Sequence, residues 1–254
     1  MADNQFTRLE RIIGKAGLDR LARAHVVVVG LGAVGSYATE ALARAGVGRL
    51  RLVDFDEVRP SNINRQLYAL HSTIGKSKAE LATARVRDIN PRCEVEPLQV
   101  FVHTDTMEQV LDGPPDLVVD AIDSFAPKCE LLSAVLIRGL PVVSSMGAAL
   151  RTDPTAVRIG PLGKTINCPL ARRLRKALRK RELPLDLLCV HSIEPVDQLP
   201  PEAGVQGDAE QEVHARGRLR RSLGSLPTLT GIFGLTIANT AMKMLLGEGR
   251  TPTA

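Results

Sequence analysis

The amino-acid sequence predicts an α/β fold: a Rossmann-like, doubly wound, mostly parallel sheet followed by a C-terminal extension. Three observations carry this. A run of valines, His25 to Val29, stops at the glycine pattern Gly30-x-Gly32-x-x-Gly35. Apolar segments of strand length alternate with segments of helix length as far as Gly147, and Asp54 closes the second apolar run. Strands that are apolar on both faces and separated by helices form parallel sheets covered on both sides.

The elements follow in order. After the strand His25 to Val29, Val34 to Ala45 has the character of a helix and Leu50 to Val53 of a second strand, completing a βαβ unit. Helices are expected near Lys78 to Ile89, Thr106 to Leu111 and Pro127 to Arg138. Strands are expected near Val95 to Val102, Leu117 to Asp120 and Val142 to Ser145. Residues 1–150 therefore form the core.

The extension, 151–254, opens with a strand at Ala156 to Ile159. Between Pro154 and Arg181 there are nine Lys or Arg and no acid. Leu170, Leu174 and Leu178 put one apolar stripe on a basic helix, 170–181, whose other face is cationic. Most of Val190 to Val213 is expected to be exposed loop, because it carries six acids, no Lys or Arg, and several Pro and Gly. Its flexible acidic part is expected at 195–213. A second basic cluster, Arg216 to Arg221, precedes a closing helix at 229–246. That helix is apolar but interrupted by Asn239 and Lys243, which favours burial against the sheet or a partner subunit over a membrane span. With 254 residues, core and extension suit one structural domain.

A composition of 44% hydrophobic and 24% charged residues excludes a disordered or fibrous chain. Met1 to Arg11 has no apolar run of the secretory kind, so a cytoplasmic address is expected. Cys93, Cys129, Cys168 and Cys189 are far apart with no Cys-x-x-Cys pair, so no zinc is expected.

A glycine loop between strand and helix turns backbone N–H groups and a helix N-terminus toward an anionic phosphate. Asp54 stands where a ribose-binding acid belongs, so these residues alone point as readily to NAD, in an oxidoreductase or redox-sensing module, as to another nucleotide. Gly75-Lys76-Ser77 and Gly163-Lys164-Thr165 are not phosphate-binding Walker loops, since Leu70 and Arg158 occupy the positions of the required upstream glycine. Downstream come Asp54-Phe-Asp56, Asn62-x-Asn64-Arg65-Gln66, Gly75-Lys-Ser-Lys78 and Ala121-Ile-Asp123-Ser124. Hydride transfer needs no Arg and Lys beside the glycine loop together with a further carboxylate. Reaction at the α-phosphate of ATP needs all three, because cations offset phosphate charge and an Asp holds the magnesium that bridges it.

These motifs, in this order, resemble the ubiquitin-activating-enzyme-like superfamily of adenylating proteins, over nearly the whole chain. The resemblance implies a Rossmann-like ATP-binding core at 1–150 and assigns ATP contacts to Gly30, Gly32, Gly35, Asp54, Asp56, Asn64, Arg65 and Lys78. It implies that Asp54 binds the ribose, that Asn64, Arg65 and Lys78 contact phosphates, and that Asp123 coordinates Mg2+. Arg11 matches an arginine that reaches ATP in the neighbouring subunit, which implies a homodimer. In related enzymes a cysteine on a mobile segment takes the activated acyl group, a role that Cys189 could fill.

Within the superfamily, sulfur-carrier adenylyltransferases commonly carry two Cys-x-x-Cys pairs, absent here. Other features resemble the tRNA threonylcarbamoyladenosine dehydratases: Asp153-Pro-Thr155, Lys164-Thr165 before Pro169-Leu-Ala171, the arginine-rich helix, Cys189-Val-His-Ser192-x-Glu194, and Gly224-Ser225 near Gly231-Ile-Phe-Gly234. Cys168 departs from that branch's usual Asp, and His191 from its usual aromatic residue. The implied reaction adenylates a threonyl carboxylate in tRNA and cyclises it, and the alternative is activation of the C-terminal glycine of a ubiquitin-like or sulfur-carrier protein. tRNA would dock on basic residues 172–181 and 216–221. With no Trp, two Tyr and five Phe, shape and phosphate contacts are expected to carry most of the RNA binding. A sulfur-transfer protein partner is left open.

Overall fold

The computed structural model describes residues 4–196 and 223–248. Its elements run α1 (Thr7–Arg23), β1 (His25–Val29), α2 (Gly35–Arg44), β2 (Arg49–Val53), α3 (Lys78–Ile89), β3 (Glu94–Leu98), α4 (Met107–Leu111), β4 (Leu117–Asp120), α5 (Phe125–Ile137), β5 (Val142–Ser145), β6 (Val157–Pro161), α6 (Pro169–Lys180), β7 (Leu188–Ser192) and α7 (Pro227–Leu246). Seven strands form one sheet in the order β3-β2-β1-β4-β5-β7-β6, parallel except for β6, which pairs antiparallel with β7.

All five residues of β1 are buried, as a central strand with helices on both faces requires. Alternation sends Val26 and Val28 into one apolar cluster, which includes Leu42, Ala82, Phe233 and Ile237 from α2, α3 and α7. Val27 and Val29 enter the other, with Val110, Leu131, Leu132, Leu174 and Leu178 from α4, α5 and α6. The stripe on α6 is thus the buried side of that helix.

The closing helix α7 has the length and composition of a membrane span, yet half of its apolar stretch is buried. It packs on α2, where glycines let the backbones approach: a Cβ at Gly234 would lie 2.5 Å from the Val34 carbonyl oxygen and 2.6 Å from the Tyr37 Cβ. The Gly231-Ile-Phe-Gly234 motif is therefore a packing device.

Two expectations need correction. The stretch from Val190 begins inside β7, and β7 is an internal strand between β5 and β6 rather than the edge of a loop. β3 stops at Leu98, short of Val102. Of the acidic loop 195–213, residues 197–213 lie outside the described residues, as does the basic cluster 216–221.

Candidate active site

The site lies beyond the carboxyl ends of β1, β2 and β4, where neighbouring connections leave β1 in opposite directions. Such a switch point is the crevice in which open α/β sheets take ligands. Gly30 has φ +89°, and a Cβ there would stand 2.9 Å from the Ala121 carbonyl oxygen, so only glycine fits both the turn and the approach to β4. A Cβ on Gly35 would overlap the Gly30 oxygen, so Gly35 lets α2 start tightly against the loop. Gly32 leaves room toward the Gln66 side chain.

Asp54 is buried and holds this loop in shape. Its carboxylate accepts the Leu31 N–H at 2.7 Å and the Asp56 N–H at 2.9 Å. Burial pushes its pKa above the usual carboxylate range, while nearby Lys78 and the two N–H bonds act against that rise. A carboxylate has about four lone-pair positions, so capacity remains for the hydroxyls of a ribose.

Lys78 begins α3, is buried, and makes an ion pair with Asp56 at 2.9 Å. Its own N–H donates to the Asp56 carbonyl at 3.1 Å, which closes the β2–α3 connection over the site. Arg65 Nη1 donates to the Ser61 carbonyl at 2.9 Å and to Asn64 Oδ1 at 2.7 Å, and Asn64 Nδ2 donates to the Ser225 carbonyl at 3.3 Å. Asn64 and Arg65 are thereby oriented by the segment that enters α7. Asn62 is buried and accepts the Arg59 N–H at 3.1 Å.

The third wall is the β4–α5 connection. β4 ends at Asp120, as expected, and Asp123 lies exposed in the loop before α5. The strand-end carboxylate is Asp120, fully buried, with Lys128 Nζ at 2.6 Å, the Ser144 hydroxyl at 2.6 Å and the Ile122 N–H at 3.1 Å. Lys128 also donates to the Ile122 carbonyl at 2.9 Å. This buried network fixes the loop that presents Asp123.

The glycine loop is thus bonded to Asp54, lies against Ala121 two residues before Asp123 and faces Gln66 next to Arg65, and the profile of the ThiF family matches residues 3–254. The chain belongs to the ThiF family. Within it, tRNA threonylcarbamoyladenosine dehydratase of Bacillus subtilis is 50% identical over 177 residues, 70% of either chain. The Escherichia coli enzyme of that name is 35% identical over 254 residues, covering 96% of this chain and 94% of its own. The crystal structure of the Escherichia coli dehydratase in complex with ATP superposes with a TM-score of 0.83 at 34% identity, covering 96% of this chain and 94% of that one.

Arg11 and Cys189, also singled out in this ThiF-family chain, lie away from the crevice. Arg11 is exposed on α1. Phe6, at the start of that helix, lies on Gly46 beyond the far end of α2, and Ala24 at its other end bonds Arg49 at the start of β2. Both ends of α1 are therefore tied to the side of the sheet opposite the glycine loop. Cys189 is fully buried in β7 with Sγ 3.3 Å from the Gly160 carbonyl, and burial pushes its thiol up to about 12. Its surroundings are packed sheet, not a mobile segment. The helix α6 carries its cations on a solvent face at Arg172, Arg173, Lys176, Arg179 and Lys180. Asp120 and Lys128 escaped the sequence reading. The signal available was a lone Lys within Phe125 to Ile137, an otherwise largely apolar helix.

Proposed function

We propose that this chain is an ATP-dependent tRNA-modifying dehydratase of the cytoplasm, which adenylates the threonyl carboxylate of threonylcarbamoyladenosine and cyclises it. The observation that carries the reading is the glycine loop bonded to Asp54 beside the Lys78–Asp56 pair, with Arg65 and Asp123 on the adjoining loops, in a chain similar over almost its full length to enzymes of that name.

ATP would lie with its ribose on Asp54 and its phosphates between the N-terminus of α2, Lys78, Asn64 and Arg65. Mg2+ is usually held by one or two carboxylates together with phosphate oxygens, and Asp123 is an exposed donor of that kind. When bound, that ion neutralises charge on the phosphates. Arg65 and Lys78 stabilise the charge that builds as the carboxylate oxygen attacks the α-phosphorus and pyrophosphate leaves.

The acyl-adenylate then meets its own carbamoyl group. Attack on the activated carbonyl expels AMP and closes the ring, with one water lost overall. Both partners belong to one side chain, which supplies the proximity that accelerates such steps. Arg11, remote from the crevice of its own chain, acts on the ATP of a second copy, and the working unit is a homodimer. Cys189 serves packing, which its burial and its protonated thiol support. The solvent face of α6 receives tRNA phosphates.

The test is pyrophosphate release from Mg2+-ATP in the presence of tRNA bearing threonylcarbamoyladenosine, the same tRNA without it, or a sulfur-carrier protein with a Gly-Gly tail. Release with the modified tRNA alone is the expected result. Release with the Gly-Gly protein alone would assign the activity to carrier-protein adenylation.

A further inference from the structure

The cations of α6 are not equivalent. Arg175 Nη1 donates to the Thr165 carbonyl at 2.8 Å and contacts the Thr165 hydroxyl. Arg181, just past the helix, donates to Ser133 Oγ at 2.7 Å and to Glu130 at 2.5 Å. These two tie α6 to its entry loop and to α5. Arg173 does something else: its guanidinium carbon lies 4.2 Å from the centroid of the Phe125 ring. Phe125 is the first residue of α5 and follows Asp123 by way of Ser124 alone.

Every other aromatic side chain is already occupied. Phe233 and Tyr68 are buried. Phe55 and Phe101 pack edge to face, with centroids 5.0 Å apart. Phe6 lies on Gly46, and Tyr37 is wedged against Gly231 and Gly234. Phe125 is the aromatic ring that the fold places at the edge of the crevice, half-buried, with an exposed arginine over it.

We propose that the Arg173–Phe125 stack is the platform on which the purine of the modified adenosine rests while its side chain reaches the adenylation site. This rests on the functional reading above. A guanidinium held against a ring presents its second face outward, and bases splayed from single-stranded RNA stack on arginine planes as on aromatic rings. The platform begins two residues from Asp123, so a base seated there directs its substituent toward the ATP phosphates. It also meets the shortage of aromatics, since one Phe suffices when an arginine extends it.

Arg173→Lys keeps the charge and removes the plane, and Phe125→Leu removes the support. Both are expected to raise the KM for modified tRNA by roughly 5- to 150-fold, the range of one stacked base. The KM for ATP and the unfolding midpoint should stay at wild-type values, and Arg44→Lys, in the last turn of α2, should leave both KM values unchanged. A single-stranded oligoribonucleotide carrying 2-aminopurine should lose fluorescence on binding the wild type, and lose less on binding Arg173→Lys. An Arg173→Lys enzyme with wild-type KM and wild-type quenching would overturn the platform and leave Arg173 a simple phosphate contact. Quenching by a wild type that releases no AMP with modified tRNA would retain the platform and overturn the functional reading.

Discussion

Lys128 and Asp120 are both fully buried, 2.6 Å apart, and their hydrogen bonds shape the loop that displays Asp123. Removing one partner of such a pair leaves the other charge uncompensated, at a cost of about 3–5 kcal/mol. Lys128→Met should therefore lower the urea unfolding midpoint markedly, and an unchanged midpoint would show the pair to be dispensable. Asp123 and Arg65 sit at the surface of the crevice, so Asp123→Ala and Arg65→Ala should unfold like the wild type yet lose roughly 100-fold or more in AMP formation. Wild-type turnover in both would overturn the site assignment. Asp54, Lys78 and the glycines were legible in the sequence because chain spacing alone places them at strand ends and helix starts. Asp120 and Lys128 were not, because a lysine in a helix looks solvated until the sheet that buries it has formed.

Among the elements, the valine strand, the α6 stripe and the closing helix were legible from periodicity and length. β7 was not. Its five residues run straight into an acidic, Pro- and Gly-rich stretch, and local composition hid a strand whose pairing partners, β5 and β6, lie far away in the chain. The same strand buries His191, whose pKa is held below the usual histidine range by burial, reinforced by the positive charges of Arg151 and Arg158. His25 is lowered for the same first reason, with Arg49 and Arg51 adding to it. A histidine kept neutral in the fold gains a proton on unfolding. The unfolded state is therefore the better proton binder below about pH 6.5, and stability falls as pH drops through that value. His191→Phe, which removes the titrating ring, should flatten the loss measured by thermal unfolding between about pH 7.5 and 5.5. It should not abolish it, since His25 contributes too. An unaltered pH dependence would contradict the burial of a neutral His191.

At the scale of the molecule, one sheet joins a nucleotide crevice to a cationic helix through α5. The amino end of α5 carries the loop of Asp123, and its first residue supports Arg173. The fold class was legible in the sequence. The contact between α5 and α6 was not, because it depends on where β7 and β6 extend the sheet. The central claim is that a substrate carboxylate attacks the α-phosphate of ATP, and the oxygen atoms record this directly. With modified tRNA labelled with oxygen-18 in its threonyl carboxylate, one labelled oxygen should appear in the AMP released, alongside a nucleoside lighter by one water. AMP without the label, formed together with that cyclised nucleoside, would show that the carboxylate never reached the α-phosphorus.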